Sequence, residues 1–123
     1  MRIAMIGTGY VGLVSGACFA DFGHQVTCVD KDAKKIAALE RGEIPIFEPG
    51  LDMLVANNIK ATRLDFATDL SVPVAEADAV FIAVGTPSRR GDGHADLTYV
   101  YAAAREIASA LSGFTVEIGR AHV

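Results

Sequence analysis

The chain has 123 residues, of which 51% are hydrophobic, and its formal net charge is −4. This length allows one compact domain with a real core, and the acidic balance argues against a nucleic-acid partner. No apolar run reaches the roughly 20 residues needed to span a bilayer, so no membrane partner is expected. The two cysteines, which lie within predicted elements, indicate a reduced, cytoplasmic protein.

The first thirty residues predict a strand, a turn, a helix and a second strand. Arg2–Ile6 is a short apolar run of strand character, and residues 10–22 are apolar nearly all round, as in a helix packed on a sheet. Gln25–Val29 forms a second β-branched run, and Asp30 ends it. This arrangement is the context in which a glycine-rich turn indicates a dinucleotide site.

Three glycines lie in the turn after the first strand and at the start of the helix. Gly7 permits the tight turn, Gly9 lets the backbone approach a pyrophosphate, and Gly12 lets the helix pack closely on the sheet. The N-terminus of the following helix presents free N–H groups and a positive dipole end to phosphates. Asp30 lies about 20 residues further on, where a carboxylate can accept the hydroxyls of an adenosine ribose.

The rest of the chain continues the alternation of helices and strands. In chain order, the pattern predicts a helix over 31–41, a short helix over 48–57, a strand over 60–64, a helix over 68–77, a strand over 79–84, a helix from Asp96 or Thr98 to 111, and a last strand that begins at 114–116.

This alternation predicts an α/β fold: a Rossmann-type, doubly wound parallel sheet. Right-handed crossovers place the first strand centrally and give about five strands in the order 3-2-1-4-5, which is an incomplete sheet. The ligand is expected at the carboxyl ends of strands one and four. That edge brings together residues 7–12, Asp30 and residues 85–87.

Several local segments, in this order, resemble the N-terminal domain of the nucleotide-sugar dehydrogenases: GTGYVGL, VTCVDKD, GEIPIFEPGL, FIAVGTPS and DGHADLTYV. The resemblance covers residues 1–116 and implies a partial NAD-binding domain. It further implies that the parent protein oxidises a sugar C6 alcohol to a carboxylate with two NAD, most similarly to the branch that converts UDP-glucose to UDP-glucuronate. A GDP-mannose or UDP-N-acetylmannosamine branch, or a nucleotide-binding module without catalysis, remains an alternative.

The resemblance also implies cofactor contacts. Val11 is expected at the pyrophosphate, Asp30 and Lys35 at the adenosine ribose, and Thr86 near the centre of the cofactor. For Lys35, a solvated helix lysine is an equally good interpretation. For Thr86, the alternative is a turn residue before Pro87, but the ligand role is favoured because strand four ends beside the point where the strand order reverses. The full expected set of cofactor-binding residues is Gly7, Gly9, Tyr10, Val11, Gly12, Asp30, Lys35, Gly85 and Thr86.

Asp30 favours NAD over NADP, because a carboxylate repels a 2′-phosphate. Lys31, Lys34 and Lys35 lie close enough in the sequence to weaken that preference.

In the resembling family, the catalytic cysteine lies in a later domain, so no catalytic residue and no metal ligand are expected in this chain. Cys18 and Cys28 are expected to be core residues of a reduced protein. The middle and C-terminal substrate domains are expected to be absent, and the parent is expected to be a homo-oligomer that takes a nucleotide sugar. The chain alone is expected to show no dehydrogenase turnover.

Residues 117–123, EIGRAHV, depart from the pattern of the resembling family. One codon spelling of this segment reproduces a common sequencing-library adapter that continues into a stop codon. The expectation is that this tail is not native.

Overall fold

The computed structural model describes residues 1–119, in which strands and helices alternate almost throughout. In chain order the elements are β1 (Arg2–Ile6), α1 (Tyr10–Asp21), β2 (Gln25–Val29), α2 (Ala33–Glu40), α3 (Leu51–Lys60), β3 (Leu64–Ala67), α4 (Ser71–Glu76), β4 (Ala79–Ile82), α5 (Thr98–Ala110) and β5 (Val116–Ile118).

The five strands form one sheet in the order β3-β2-β1-β4-β5, and every neighbouring pair is parallel. β1 lies at the centre, where Met5 stands opposite Cys28 of β2 on one side and Phe81 of β4 on the other. The predicted fold class and strand order are therefore confirmed. β1 reads as a continuous apolar run because helices cover both faces of the sheet.

Two hydrophobic cores lie on opposite faces of this sheet. Ile3 and Met5 of β1 point into the core formed with α1, α2 and α3. Ala4 and Ile6 point the other way, into the core formed with α4 and α5. This alternation is the two-residue period of a strand, and it gives each face of the sheet a core of its own.

The third strand was predicted too early in the chain. Residues 60–64 were expected to form it, but α3 continues to Lys60 and β3 begins only at Leu64. The intervening turn contains Thr62, which has a positive φ of 60°. The helix also starts later than predicted, because Gly50 takes a left-handed conformation as its N-cap.

A partly buried polar cluster ties α1 and α3 to the turn before β3. The side chain of Asn58, which is fully buried, donates to Asp21 Oδ1 at 3.2 Å and to the Leu54 carbonyl at 2.9 Å. Its Oδ1 accepts from the Arg63 guanidinium at 3.1 Å, and Arg63 also donates to the Ala20 carbonyl at 2.9 Å. Every polar atom of the Asn58 amide is thereby satisfied.

β5 pairs with β4 through Val116, opposite Ala79, and Ile118, opposite Phe81. The strand thus includes Glu117 and Ile118, the first two residues of the segment expected to be a non-native tail. Residues 120–123 of that segment lie outside the described residues. Within residues 1–119 no helix is both long enough and apolar enough to cross a membrane.

Candidate functional site

A cleft of about 1100 Å³ opens at the carboxyl ends of β1 and β4. This is the edge at which the chain connections diverge to opposite sides of the sheet, and ligands of open α/β sheets bind there. The cleft exceeds the usual range for a drug-sized ligand, about 300–1,000 Å³, and is large enough for an extended one. It is lined by Ile6, Gly7, Thr8, Gly9, Tyr10, Val11, Val29, Asp30, Lys31, Asp32, Lys35, Thr68, Asp69, Leu70, Ser71, Ala83, Val84, Gly85, Pro87, Tyr99, Ala102, Ala103, Glu106 and Ser109.

Gly7 makes the sharp exit from β1. Its φ of +107° is a conformation that L side chains rarely adopt. A Cβ on Gly7 would also lie 2.6 Å from the carbonyl oxygen of Ala83, the residue that follows β4. Both observations require glycine here, as the motif predicted.

Gly9 is the N-cap of α1 and provides no side-chain cap. The first-turn N–H groups of an α-helix have no partner within the helix, so the first turn of α1 is available to an anionic ligand. A Cβ built on Gly9 has no heavy atom within 4 Å. The protein itself therefore does not require glycine at this position, whereas a ligand that approaches the backbone would.

Asp30 closes β2 and is held by the glycine turn. Its Oδ2 accepts from the Thr8 hydroxyl at 2.7 Å and from the Thr8 N–H at 3.1 Å, and its Oδ1 accepts from the Asp32 N–H at 3.0 Å. Lys35 Nζ lies 3.6 Å from Oδ2. The side chain of Asp30 is 19% exposed, so the carboxylate is partly buried but still reaches the cleft.

The charge of Asp30 is stabilised by these contacts. Burial alone would raise the pKa of this carboxyl group. The hydrogen bonds from Asp32 and Thr8, together with the positive charge of Lys35, outweigh burial and hold the pKa below its ordinary value. Asp30 is thus ionised throughout the neutral range and can accept hydrogen bonds from hydroxyl groups.

The far wall of the cleft comes from the β3–α4 connection and from α5. Leu70, Ala102 and Ala103 give it an apolar surface, and Tyr99 lies at its rim, 56% exposed. Lys31, which follows Asp30, forms an ion pair with Glu106 of α5. This pair joins the two walls of the cleft beyond Asp30.

Tyr10 links the glycine turn to the connection between α2 and α3. Its hydroxyl donates to Glu48 Oε2 at 3.0 Å. The hydrogen bond and the negative charge of Glu48 raise the pKa of the Tyr10 phenol, so the hydroxyl stays protonated as a donor. The proline-rich connection is thereby placed beside the first turn of α1.

Most residues expected to bind a cofactor line this one cleft: Gly7, Gly9, Tyr10, Val11, Asp30, Lys35 and Gly85. Gly12 is buried under the turn, and Thr86 lies between the lining residues Gly85 and Pro87 without forming part of the wall. Their binding roles remain predictions.

Sequence reasoning missed Thr8, which is only 1% exposed, and the ion pair of Lys31 with Glu106. A hydroxyl residue between the first two glycines was the available signal for Thr8. Nothing in the sequence indicated the partner of Lys31, which lies in α5.

Neither cysteine forms part of the cleft wall. Cys28 is fully buried in β2, and burial raises the pKa of its thiol to about 12. Within residues 1–119 no group of three or more histidine, cysteine or acidic side chains is placed to hold a metal ion.

The sheet order, the glycine turn and the terminal acid of β2 together define a dinucleotide-binding α/β domain. The model of the UDP-glucose/GDP-mannose dehydrogenase family, NAD binding domain, matches residues 1–122. The chain therefore belongs to this family and corresponds to its NAD-binding domain, and NAD is its cofactor.

Two curated relatives illustrate the similarity. The chain is 70% identical over 123 residues to UDP-glucose 6-dehydrogenase of Rhizobium meliloti (strain 1021), a match that covers 100% of this chain and 28% of the relative. It is 50% identical over 122 residues to UDP-glucose 6-dehydrogenase TuaD of Bacillus subtilis (strain 168), which covers 99% of this chain and 26% of the relative. The chain thus spans little more than a quarter of the length of these relatives.

Solved structures of dehydrogenases share the fold. A ternary complex of GDP-mannose dehydrogenase from Pseudomonas aeruginosa superposes with a TM-score of 0.94 at 39% identity, covering 100% of this chain and 29% of that one. The UDP-N-acetyl-mannosamine dehydrogenase Cap5O from Staphylococcus aureus superposes with a TM-score of 0.87 at 30% identity, covering 97% and 28%.

Proposed function

We propose that this chain is the NAD-binding part of an enzyme that oxidises UDP-glucose to UDP-glucuronate with two NAD. The observation that carries the proposal is the 70% identity to a UDP-glucose 6-dehydrogenase across the whole chain, together with a cleft whose walls suit the dinucleotide. Bound NAD supplies the hydride acceptor, and the residues of this chain bind and orient it.

The pyrophosphate is proposed to lie on the turn at Gly9 and on the first turn of α1, at Tyr10 and Val11. The missing side chain of Gly9 and the uncapped helix N-terminus support this placement. A negative ligand is favoured there by the dipole of a helix that is 12 residues long.

The adenosine ribose is proposed to lie against Asp30. Oδ1 accepts one hydrogen bond within the protein, from Asp32, and a carboxylate oxygen can accept about two. Lys35, beside the carboxylate, can donate to a ribose hydroxyl oxygen. Gly85 and Thr86 are proposed to contact the cofactor nearer its centre, where β4 ends beside β1.

The adenine is proposed to occupy the cleft beyond Asp30. Leu70 and Ala102 present apolar surface there, and a flat heterocycle buries well against such a wall. The ion pair of Lys31 with Glu106 lies at the same end.

The substrate identity rests on similarity rather than on this cleft. A GDP-mannose substrate is the second candidate, favoured by the TM-score of 0.94 to a GDP-mannose dehydrogenase. A protein of the relatives' full length that carries this domain is expected to produce NADH with UDP-glucose. Faster NADH production with GDP-mannose or UDP-N-acetylmannosamine would contradict the UDP-glucose assignment.

Binding of NAD to the chain itself tests the site. Isothermal calorimetry with Asp30→Asn is expected to give an affinity about 10- to 100-fold weaker, because hydrogen bonds to a charged acceptor contribute about 1.5–3 kcal/mol. Asp65→Asn serves as the matched control, since Asp65 is an exposed acid of β3 outside the cleft. Equal NAD affinities for Asp30→Asn and Asp65→Asn would show that Asp30 does not contribute to NAD binding.

A further inference from the structure

We propose that Thr8 is a positioning residue for NAD binding, which fixes the Asp30 carboxylate in the orientation that meets the ribose. The inference rests on the proposed function, because it takes Asp30 as the ribose acceptor. It adds a residue whose side chain acts only through Asp30.

The geometry singles out one oxygen of the carboxylate. Both donors of Thr8, the hydroxyl at 2.7 Å and the N–H at 3.1 Å, reach Asp30 Oδ2. Two donors fill the usual acceptor capacity of one carboxylate oxygen. Oδ1, which accepts only the Asp32 N–H within the protein, is therefore the oxygen left for a ribose hydroxyl.

Thr8 is itself held firmly enough to act as a clamp. It is 1% exposed, and it follows Gly7, whose N–H donates to the Val29 carbonyl at 2.7 Å. The ends of β1 and β2 are thus tied together by the backbone at Gly7 and by the side chain at Thr8. A carboxylate tied in this way loses little rotational freedom when a ligand binds.

The same hydrogen bonds decide how readily Asp30 is protonated. The Thr8 hydroxyl and N–H both lower the pKa of this carboxyl group, after the Asp32 N–H and against the effect of burial. Other charges near Asp30 come from Lys35 on α2, from Lys31 and Asp32 after β2, and from Asp69 in the β3–α4 connection. None of these groups is altered by a substitution of Thr8.

Two substitutions separate the hydroxyl from the volume of the side chain. Thr8→Val keeps the branched shape and removes the hydroxyl donor, whereas Thr8→Ser keeps the donor. We expect Thr8→Val to bind NAD about two- to tenfold more weakly at neutral pH, because a carboxylate that is no longer held must be ordered when the ligand binds. Thr8→Ser is expected to bind within about twofold of the unaltered chain.

The pH dependence of NAD binding provides a readout that would not change if Thr8 had a purely structural role. We compare NAD titrations and a carbon-detected NMR titration of the Asp30 carboxyl group from about pH 2.5 to pH 8, a range that extends below the ordinary pKa of this group, 3.8. In Thr8→Val, the midpoints of both titrations are expected to shift to higher pH. Thr8→Ser is expected to retain the original midpoints. If Thr8→Val does not fold, Thr8→Ala compared with Thr8→Ser isolates the same hydroxyl.

The outcomes distinguish this inference from the proposal on which it rests. If Asp30→Asn binds NAD as tightly as the unaltered chain, the ribose assignment is wrong. If Asp30→Asn weakens binding but Thr8→Val changes neither affinity nor the Asp30 midpoint, the positioning role is overturned. Weaker binding by Thr8→Val at every pH, with an unmoved Asp30 midpoint, would also overturn it.

Discussion

Gly12 lies directly against the backbone of Gly7: a Cβ on Gly12 would stand 1.9 Å from the Gly7 carbonyl oxygen. The first turn of α1 is therefore packed onto the turn that precedes it, with no space for a methyl group. This contact sets how closely the helix N-terminus approaches the end of β1, where the phosphates are proposed to bind.

Gly12→Ala is expected to destabilise the chain. Because the clash is with backbone, the helix and the turn must move apart, and overpacking of this kind costs about 1–3 kcal/mol or more. Urea unfolding followed by circular dichroism measures the change. An unfolding midpoint equal to that of the unaltered chain would show that the turn adapts freely.

Gly9→Ala is expected to leave stability nearly unchanged and to weaken NAD binding. A Cβ at Gly9 meets no heavy atom within 4 Å, so the free energy of unfolding should change by about 0.5 kcal/mol or less beyond the ordinary effect of removing a glycine. NAD binding should weaken, because the methyl group would stand where the pyrophosphate approaches. Gly12→Ala and Gly9→Ala together thus distinguish a glycine that the fold needs from one that the ligand needs. Unchanged NAD affinity in Gly9→Ala would contradict the proposed position of the pyrophosphate.

The strand order and the cleft were predictable because the information is local. Gly7, Gly9 and Asp30 belong to one strand–turn–helix–strand unit, and alternation of elements fixes the rest of the sheet. β3 was misplaced because the helix before it runs on to Lys60 and the chain turns at Thr62 with a positive φ, which no residue type signals there.

Contacts across the cleft were beyond sequence reasoning. The bond between Thr8 and Asp30 joins residues 22 positions apart, and the ion pair of Lys31 with Glu106 joins residues 75 positions apart. Such pairs depend on the side-chain placement that the finished sheet imposes, so a motif locates the site without giving its electrostatics.

Removal of the Asn58 amide is expected to lower the free energy of unfolding by more than the lost side-chain volume alone would. Asn58→Ala would remove the hydrogen bonds that the fully buried amide makes with Asp21 and with the half-buried Arg63 guanidinium, and a hydrogen bond to a charged group contributes about 1.5–3 kcal/mol. Asn57→Ala, at the exposed neighbouring position of the same helix, is the matched control. Urea unfolding of the two variants should differ clearly, and equal midpoints would mean that water replaces the amide at no cost.

The Cys28 thiol is expected to resist alkylation in the folded chain. It is fully buried, and Gly16 of α1 packs so closely on it that a Cβ there would lie 2.7 Å from Cys28 Sγ. Since the thiolate is the reactive form and burial raises the pKa of this thiol to about 12, the folded chain holds almost no thiolate near neutral pH. In a Cys18→Ser background, labelling with iodoacetamide at pH 8 should require unfolding, and rapid labelling of the native chain would contradict the buried position.

The same burial makes stability depend on alkaline pH. The thiol is protonated in both states below its ordinary pKa of 9.0, so its contribution to stability is complete there. As the pH rises above 9, the unfolded chain gains a favourable ionisation that the folded chain cannot match until the pH reaches about 12, and the free energy of unfolding falls. Urea unfolding between pH 7.5 and pH 10.5 should therefore show a steeper alkaline decline in the free energy of unfolding for the unaltered chain than for Cys28→Ala, which lacks the thiol. Parallel declines would show that folding does not raise the pKa of Cys28.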